Sequence, residues 1–517
     1  MDYVLHAVLI LLTFVLVSVT KCLVHVVSAR AVLRRIPGPP SSSLIWGEEW
    51  ALYSSTPGSR YVTWHKRFGN VHQIISITDP RAISFIVSEK TYSFPKPHGV
   101  REWFKATLGK GIIWVEGKDA HEQQRRLIAP ALSQQSVRAV MPVFYDVSSK
   151  LCAQWEKTVD ASPQGAAEIE ATFWAGRFAL GAVTLAAFDY DLNCLSGGPH
   201  ALAEALDGLT NNENKASSFY MRALFWIAPA VLMIGEKGRM IRQSKAELGA
   251  IASRMWRDAK AGENATAGGD ANGEKWGDRK GRNLIATMLK GAAASGGQLT
   301  EDEVVDQMRT TISAGYETVS AIVAWILYEI AVHPILQQKL REEVENACEP
   351  TLDELNVKYR LLDATLKETL RLHPAILENH HEAAETIVIP LSSSLPGTED
   401  SQLVVPKGTL IAIPLNVLHT DPAIFGADAH VFRPERWLER AEKGIRHKRE
   451  LFVFSEGPRS CLGRAMAMAE IKALVISILQ HFTLECHHDI EAFQSFVVRP
   501  RVCGQGASSL PLLVRRL

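Results

Sequence analysis

The stretch FSEGPRSCLG, residues 454–463, sets one cysteine between two glycines, with an arginine two residues ahead of it. It runs straight into LGRAMAMAEIKALVISILQHF, residues 462–482, which is rich in strong helix formers and apolar on nearly every side. That segment predicts a buried helix with Cys461 at its N-terminal edge. Free backbone N–H groups and the helix dipole at such an edge favour a thiolate. Gly457 and Gly463 allow turns or close approaches that a Cβ would forbid. A lone cysteine near a helix start is most often a small buried hydrophobe. The rest of the chain has to decide between packing and ligation.

The chain has 517 residues, 47% of them hydrophobic, which is ample for a large core and far from a disordered composition. Lys plus Arg and Asp plus Glu both number 56, so the formal net charge is zero. A nucleic-acid partner, which needs a basic excess or stripe, is not expected. Seven cysteines, at 22, 152, 194, 348, 461, 486 and 503, are odd in number, widely spaced and without a CxxC pair. That pattern is neither a disulfide framework nor a zinc site, and it points to a reducing compartment.

Residues 3–20, YVLHAVLILLTFVLVSVT, carry no formal charge and are long enough to cross a bilayer as a helix. No basic stretch precedes them and no small-residue cleavage site follows, which disfavours a cleaved signal peptide. Lys21, Arg30, Arg34 and Arg35 follow the span while Asp2 precedes it, so the positive-inside rule puts the body in the cytosol. The expected organisation is a membrane anchor over 1–29, a basic, proline-rich hinge over 30–43, and one body over 44–517.

Within that body, VHQIISITDP (71–80) predicts a strand stopped at Asp79-Pro80, followed by a short helical pattern. From about 120 to 350 the apolar spacing is mostly helical. Residues 261–282, AGENATAGGDANGEKWGDRKGR, predict a mobile surface loop. LVVPKGTLIAIPL (403–415) predicts a hairpin around a Pro-Lys-Gly turn. The fold class is mainly α with small β-sheets. Thr300 and Glu303 form a capping box that opens a long helix reaching towards His333-Pro334. In its middle lies AGYET, 314–318, two small residues followed by a carboxylate and a hydroxyl.

The ten residues around Cys461 match, at Phe454, Gly457, Arg459, Cys461 and Gly463, the heme-binding pattern FxxGxRxCxG of the cytochrome P-450 family, which this chain resembles. The resemblance implies that Cys461 is the proximal thiolate ligand of iron in heme b, that Arg459 pairs with a heme propionate, and that Phe454 packs beneath the ring. AGYET resembles the family's distal-helix motif. By that resemblance Ala314 and Gly315 open a groove, Thr318 hydrogen-bonds the oxygen being activated, and Glu317 helps relay protons. LKETLRLHP (366–374) and FRPERW (432–437) resemble the ExxR motif and its partner, implying a structural triad of Glu368, Arg371 and Arg436. GKDAHEQQRRLIAPALS (117–133) resembles the family's C-helix, so His121 and Arg125, at i and i+4, would reach propionates. One departure is His381, standing where many relatives carry an arginine; a neutral histidine is a weaker anion partner. The pairs His380-His381 and His487-His488 read as loop residues without metal-site spacing.

The resemblance covers about residue 37 onwards and implies a membrane-anchored heme-thiolate monooxygenase of the endoplasmic reticulum, single-pass, with its catalytic domain cytosolic. NADPH and flavin would enter only through a separate partner, NADPH-cytochrome P-450 reductase, since this chain carries no flavin or nicotinamide fingerprint. The pocket walls expected over 98–112, 308–314 and 375–379 are largely apolar and favour a hydrophobic small-molecule substrate. The general look resembles fungal microsomal members, whose substrates are often terpenoids or other secondary metabolites. Two other classes stay open: a reductase-independent heme-thiolate isomerase or dehydratase, and a non-catalytic heme-binding sensor.

Overall fold

The computed structural model describes residues 48–517 apart from 73–74, 199, 211–228, 268–283, 286, 289–299, 396–397, 445–450 and 495; before residue 48 it describes 6, 13, 16, 17, 20, 33, 36–40 and 42. Most of the expected anchor and hinge therefore lies outside the described residues. Among the described residues, the helices long and apolar enough to cross a membrane are Ala171–Phe188 and Glu301–Val332. Both are core helices, with 72% and 78% of their most apolar windows buried.

The body is mainly helical, built around helix Glu301–Val332. The capping box is formed: Thr300 Oγ1 accepts from Glu303 N, and Glu303 Oε2 accepts from Thr300 N at 2.9 Å. Twenty of this helix's residues are buried, because it is packed by helices Ala171–Phe188 and Arg464–His481 and by the C-terminal hairpin. Gly315 explains the tightest of these approaches. A Cβ there would lie 2.7 Å from Val183 Cγ2, so only glycine lets the two helices come this close. Helix Gln134–Asp160 packs on both Arg464–His481 and Ala171–Phe188 and closes the same core.

The sheets are small. Strands Val71–His72, Ser76–Ile77, Leu410–Pro414 and Glu378–Glu382 form the largest in that order, Ala166–Glu170, Pro511–Arg516 and Phe482–Glu485 a second, and two two-stranded ladders complete the set among the described residues. The expected single strand over 71–80 is instead a tight antiparallel pair, with Val71 opposite Ile77. Asp79 then caps helix Pro80–Ser84, accepting from Arg81 N and Ala82 N at 2.9 and 3.0 Å. The expected hairpin over 403–415 is also corrected. Gln402–Val405 pairs with Ile387–Pro390, whereas Leu410–Pro414 pairs with Glu378–Glu382. The Pro406-Lys407-Gly408 turn carries the chain from one sheet to another, because Gly408 N and Ala383 N bond across to Ala383 O and Thr409 O rather than closing a ladder. Helix Gly235–Ala267 runs through the start of the expected 261–282 loop, whose remainder lies outside the described residues. His380 and His381 lie on strand Glu378–Glu382, not in a loop.

A buried ion cluster fixes the path to the cysteine. Glu368 and Arg371, both fully buried on helix Arg360–Leu372, form a two-pronged pair at 2.9 and 2.7 Å. Glu368 also accepts from Arg436 Nε at 3.3 Å, Trp437 Nε1 at 2.9 Å and Arg433 N at 2.9 Å. The triad expected of 368, 371 and 436 is thus formed and fully satisfied. Arg371 reaches on to His419 O at 2.7 Å, and His419 Nε2 accepts from Phe452 N at 3.1 Å. Burial pushes His419 down to about 3, with Arg371 adding to the effect, so the ring is neutral and free to accept. From Phe452 the chain turns, and Phe454 O accepts from Cys461 N at 2.8 Å. The loop is pressed onto the 85–89 turn at Gly457, whose φ is +71° and whose added Cβ would lie 2.3 Å from Val87 O.

Glu368→Gln leaves the buried Arg371 guanidinium without its counter-ion, while Arg436 keeps Asp428, and we expect a loss of about 3–5 kcal/mol, read as a fall in the thermal midpoint of the purified chain. Gly457→Ala strains the backbone and drives a Cβ into Val87 O. It should cost about 1–3 kcal/mol by the same measurement, while Gly504→Ala, also at positive φ but with open space around the new Cβ, costs less.

Candidate active site

Cys461 stands three residues before helix Arg464–His481, held between Ser460 and an N-terminal turn. Its surface is accessible even though protein surrounds it closely. Burial raises the thiol's pKa, outweighing the Gly463 N–H, the Arg125 cation and the Arg464 N–H and charge that pull it down. Burial thus opposes the thiolate that the helix edge favours, and a coordinating metal cation is what deprotonates such a group. An added Cβ at Gly463, whose φ is an ordinary −84°, would meet nothing within 4 Å. Neither strain nor a protein neighbour requires glycine there, so the space beside the sulfur is left open. Phe454 packs on the main core, with the Arg464 guanidinium 5.3 Å from its ring centre.

Cations gather on one side of this loop. Arg459 pairs with Glu116 and lies 5.3 Å from the centre of the Tyr92 ring. Lys96 pairs with the same Glu116 at 2.7 Å, and burial lowers Lys96 to about 8 despite that partner. Burial would raise Glu116, but Lys96 and Arg459 together hold it below the usual carboxylate range. His121, on helix Lys118–Ile128, is buried against Tyr92 Oη at 3.2 Å. It is pushed down to about 4 by burial and then by Arg459, Lys96 and Arg125. Arg125, one turn along the same face, turns to the cysteine loop, donating to Ser460 O at 2.8 Å and Ser460 Oγ at 3.2 Å. His381 is neutral as well, lowered to about 4 by burial, with Nδ1 3.1 Å from Phe94 O.

This cluster is short of anions. Arg459 Nε, Arg101 Nε and Trp114 Nε1 are all buried with no hydrogen-bond partner, and Arg101 lies 5.0 Å from the centre of the Trp114 ring. Buried donors without acceptors are costly, and three together mark a place for an anionic ligand. Two carboxylates on a flat apolar ring beside an accessible sulfur answer that need. The residues present fit heme b: a sulfur donor, open space at Gly463 and unpaired cationic donors for its propionates.

The long helix presents a second feature. Near the middle of this helix, Thr311, Ala314, Gly315 and Thr318 keep partial accessibility at the i, i+3, i+4, i+7 spacing of one stripe, with Ser313 beside them. Thr318 Oγ1 donates back to Ala314 O at 2.8 Å. Glu317 lies off that stripe, 3% exposed, and pairs with Arg499 at 3.0 Å. Burial raises its carboxyl to about 7, against the pull of Arg499. Segment 108–115 is strapped to this helix by Lys110 N and Ile112 N, which donate to Asp306 Oδ2 at 2.7 Å and Gln307 Oε1 at 3.0 Å. Nearby, Phe496 packs against Trp103 and Phe104, with ring centres 6.3 and 6.4 Å apart. Sequence reading missed Arg499, Phe496, Glu116, Lys96 and Tyr92, none of which sits in a motif.

Comparison with known proteins agrees with this geometry. The family profile described as Cytochrome P-450 matches residues 38–502. The chain is 31% identical to Cytochrome P-450 monooxygenase claU of Ampulloclitocybe clavipes over 96% of this chain and 95% of that one. It is 30% identical to Cytochrome P-450 monooxygenase 205 of Postia placenta over 96% of each. With an accessible cysteine in the family's heme-binding pattern and an anion-hungry cluster beside it, the chain belongs to the cytochrome P-450 family of heme b monooxygenases.

Proposed function

We propose that this protein is a membrane-anchored monooxygenase of the endoplasmic reticulum that inserts one oxygen atom into a hydrophobic small molecule, a secondary metabolite such as a terpenoid. Its electrons come from NADPH through a separate reductase. The observation that carries the oxygenase reading is the pairing of the accessible Cys461 thiol with three unpaired buried donors, Arg459 Nε, Arg101 Nε and Trp114 Nε1. When bound, heme b supplies dioxygen activation and oxygen-atom transfer.

Each of the chain's residues has its own part. Cys461 is the metal ligand, Phe454 and Gly463 shape the space beside it, and Arg459 and His121 receive the propionates. Arg125 serves the cofactor by fixing Ser460, and so the neighbouring sulfur, in place. Ala314 and Gly315 shape the groove on the long helix, and Thr318 orients the reacting oxygen with its hydroxyl. Glu317, raised to about 7, holds a proton near neutral pH and gives it up, as a general acid must. The apolar wall is aromatic, from Trp103, Phe104 and Phe496, and suits a hydrocarbon-rich guest. The anchor over 1–29 and hinge over 30–43 tether the catalytic body over 44–517, supported by the charge-free run 3–20 and the basic residues after it.

Cys461→Ser should abolish the thiolate-ligated heme absorption spectrum while far-ultraviolet circular dichroism is unchanged; retention of that spectrum would remove Cys461 as ligand. Optical titration of the ferric protein with sesquiterpenes, triterpenes, fatty acids and aromatics should give a saturable shift with a terpenoid. A shift with fatty acids alone would overturn the terpenoid assignment. Turnover without added reductase would favour an isomerase or dehydratase. Turnover should fall as pH rises above about 7, where Glu317 loses its proton, and Glu317→Gln should remove that limb from the pH–rate profile.

A further inference from the structure

Glu317 is buried in the middle of the long helix, and the group that meets it comes from the far end of the chain. Arg499 sits on strand Val498–Val502, the returning strand of the C-terminal hairpin, whose outgoing strand is Ile490–Gln494. Through one Nη it donates to Glu317 Oε2 at 3.0 Å and to Ser320 Oγ at 3.1 Å. Its other Nη lies 3.8 Å from Asp207 Oδ1, on helix Ala201–Thr210. Tyr316, the residue before Glu317, donates to that same Asp207 oxygen. Three elements distant in sequence thus meet on one turn of the long helix, and the hairpin is pinned there by Trp325 Nε1, which donates to Val498 O at 3.1 Å.

The burial is graded. The side chain of Asp207 is 39% exposed, that of Arg499 8% and that of Glu317 4%, so one end of the row touches solvent and the other does not. Another neighbour, helix Ala171–Phe188, approaches through the bare backbone of Gly176, where an added Cβ would lie 3.2 Å from Tyr316 Oη. Its Arg177 lies over the Phe173 ring, 4.7 Å from the centre, with Nε and Nη1 buried without a hydrogen-bond partner, and it is not among the charges that shift Glu317. The charges that act on Glu317 are Arg499 and Asp207, of opposite sign. A carboxyl this deeply buried would stay neutral without a cation beside it, and a fixed guanidinium is the group best suited to hold it.

We propose that Arg499 is the positioning residue for Glu317: the C-terminal hairpin presents a fixed cation that holds the carboxyl in one place and sets its ionisation against the opposing charge of Asp207. The inference rests on the relay role of Glu317 only for its bearing on turnover; the placement and ionisation of the carboxyl stand without it.

Infrared difference titration of the full-length holoenzyme follows the carbonyl stretch of the protonated Glu317 carboxyl, which Glu317→Gln removes and so assigns. Arg499→Met should raise the midpoint of that band by about 1–3 pH units. Arg499→Lys, which keeps the charge, should leave it near the parent value. Asp207→Asn should lower it, and this variant keeps the test alive if Arg499→Met does not fold. Midpoints that stay put, or that move in the same direction in Arg499→Met and Asp207→Asn, overturn the proposal. NADPH oxidation with added reductase is read separately. A high-pH limb that moves with the infrared midpoint supports both readings. Midpoints that move while the limb stays fixed leave Arg499 as the positioning residue and remove Glu317 from the relay.

Discussion

The buried pair of Glu368 and Arg371 is the constraint on which the site depends. Two ionised side chains without solvent exposure are expensive to desolvate, and a pair of this kind is weak evidence for stability by itself. Its value here is in what it forces. Every donor and acceptor it carries has to be met, so Arg436, Trp437 and the carbonyls of His419, Ala429 and Val431 are drawn to one point. His419 then passes that placement to Phe452 through its neutral ring, and the turn from Phe452 to Phe454 ends on the backbone N–H of Cys461. The position of the sulfur is thus set by an electrostatic requirement elsewhere in the core.

The opposite condition holds beside the sulfur. Glu368 is fully satisfied, whereas the cluster of Lys96, Arg101, Arg459 and Trp114 keeps buried donors unmet. Glu116 answers two of the cations and cannot answer the rest. A protein tolerates such a deficit where a ligand supplies the missing acceptors. The two neutral histidines, His121 and His381, fit the same picture: burial first, and then the neighbouring cations, hold both unprotonated. A neutral histidine at 381 thus adds no positive charge to a neighbourhood that already has enough.

Much of this was legible in the sequence because it is local. The capping box at Thr300 and Glu303 needs only a three-residue spacing, the Glu368–Arg371 pair only one helical turn, and the buried helix after Cys461 only its composition. The pattern around Cys461 marked the family for the same reason. Strand pairing was less legible: the runs on either side of Pro406-Lys407-Gly408 have hairpin composition, yet each pairs with a different partner. Composition reports that a segment fits a sheet, and it does not report which edge is free to receive it.

The family and the helical body were readable from the chain alone, since they rest on short-range spacing and on residue chemistry that context does not change. The state of the charged groups was set only on folding. Arg499 lies 182 residues from Glu317, and no periodicity links them. The direction in which the Cys461 thiol shifts was likewise out of reach, because it is a contest between helix-edge N–H groups, visible in sequence, and desolvation, which is not. Ionisation depends on which surfaces meet and how much water they exclude, and only the folded chain settles that.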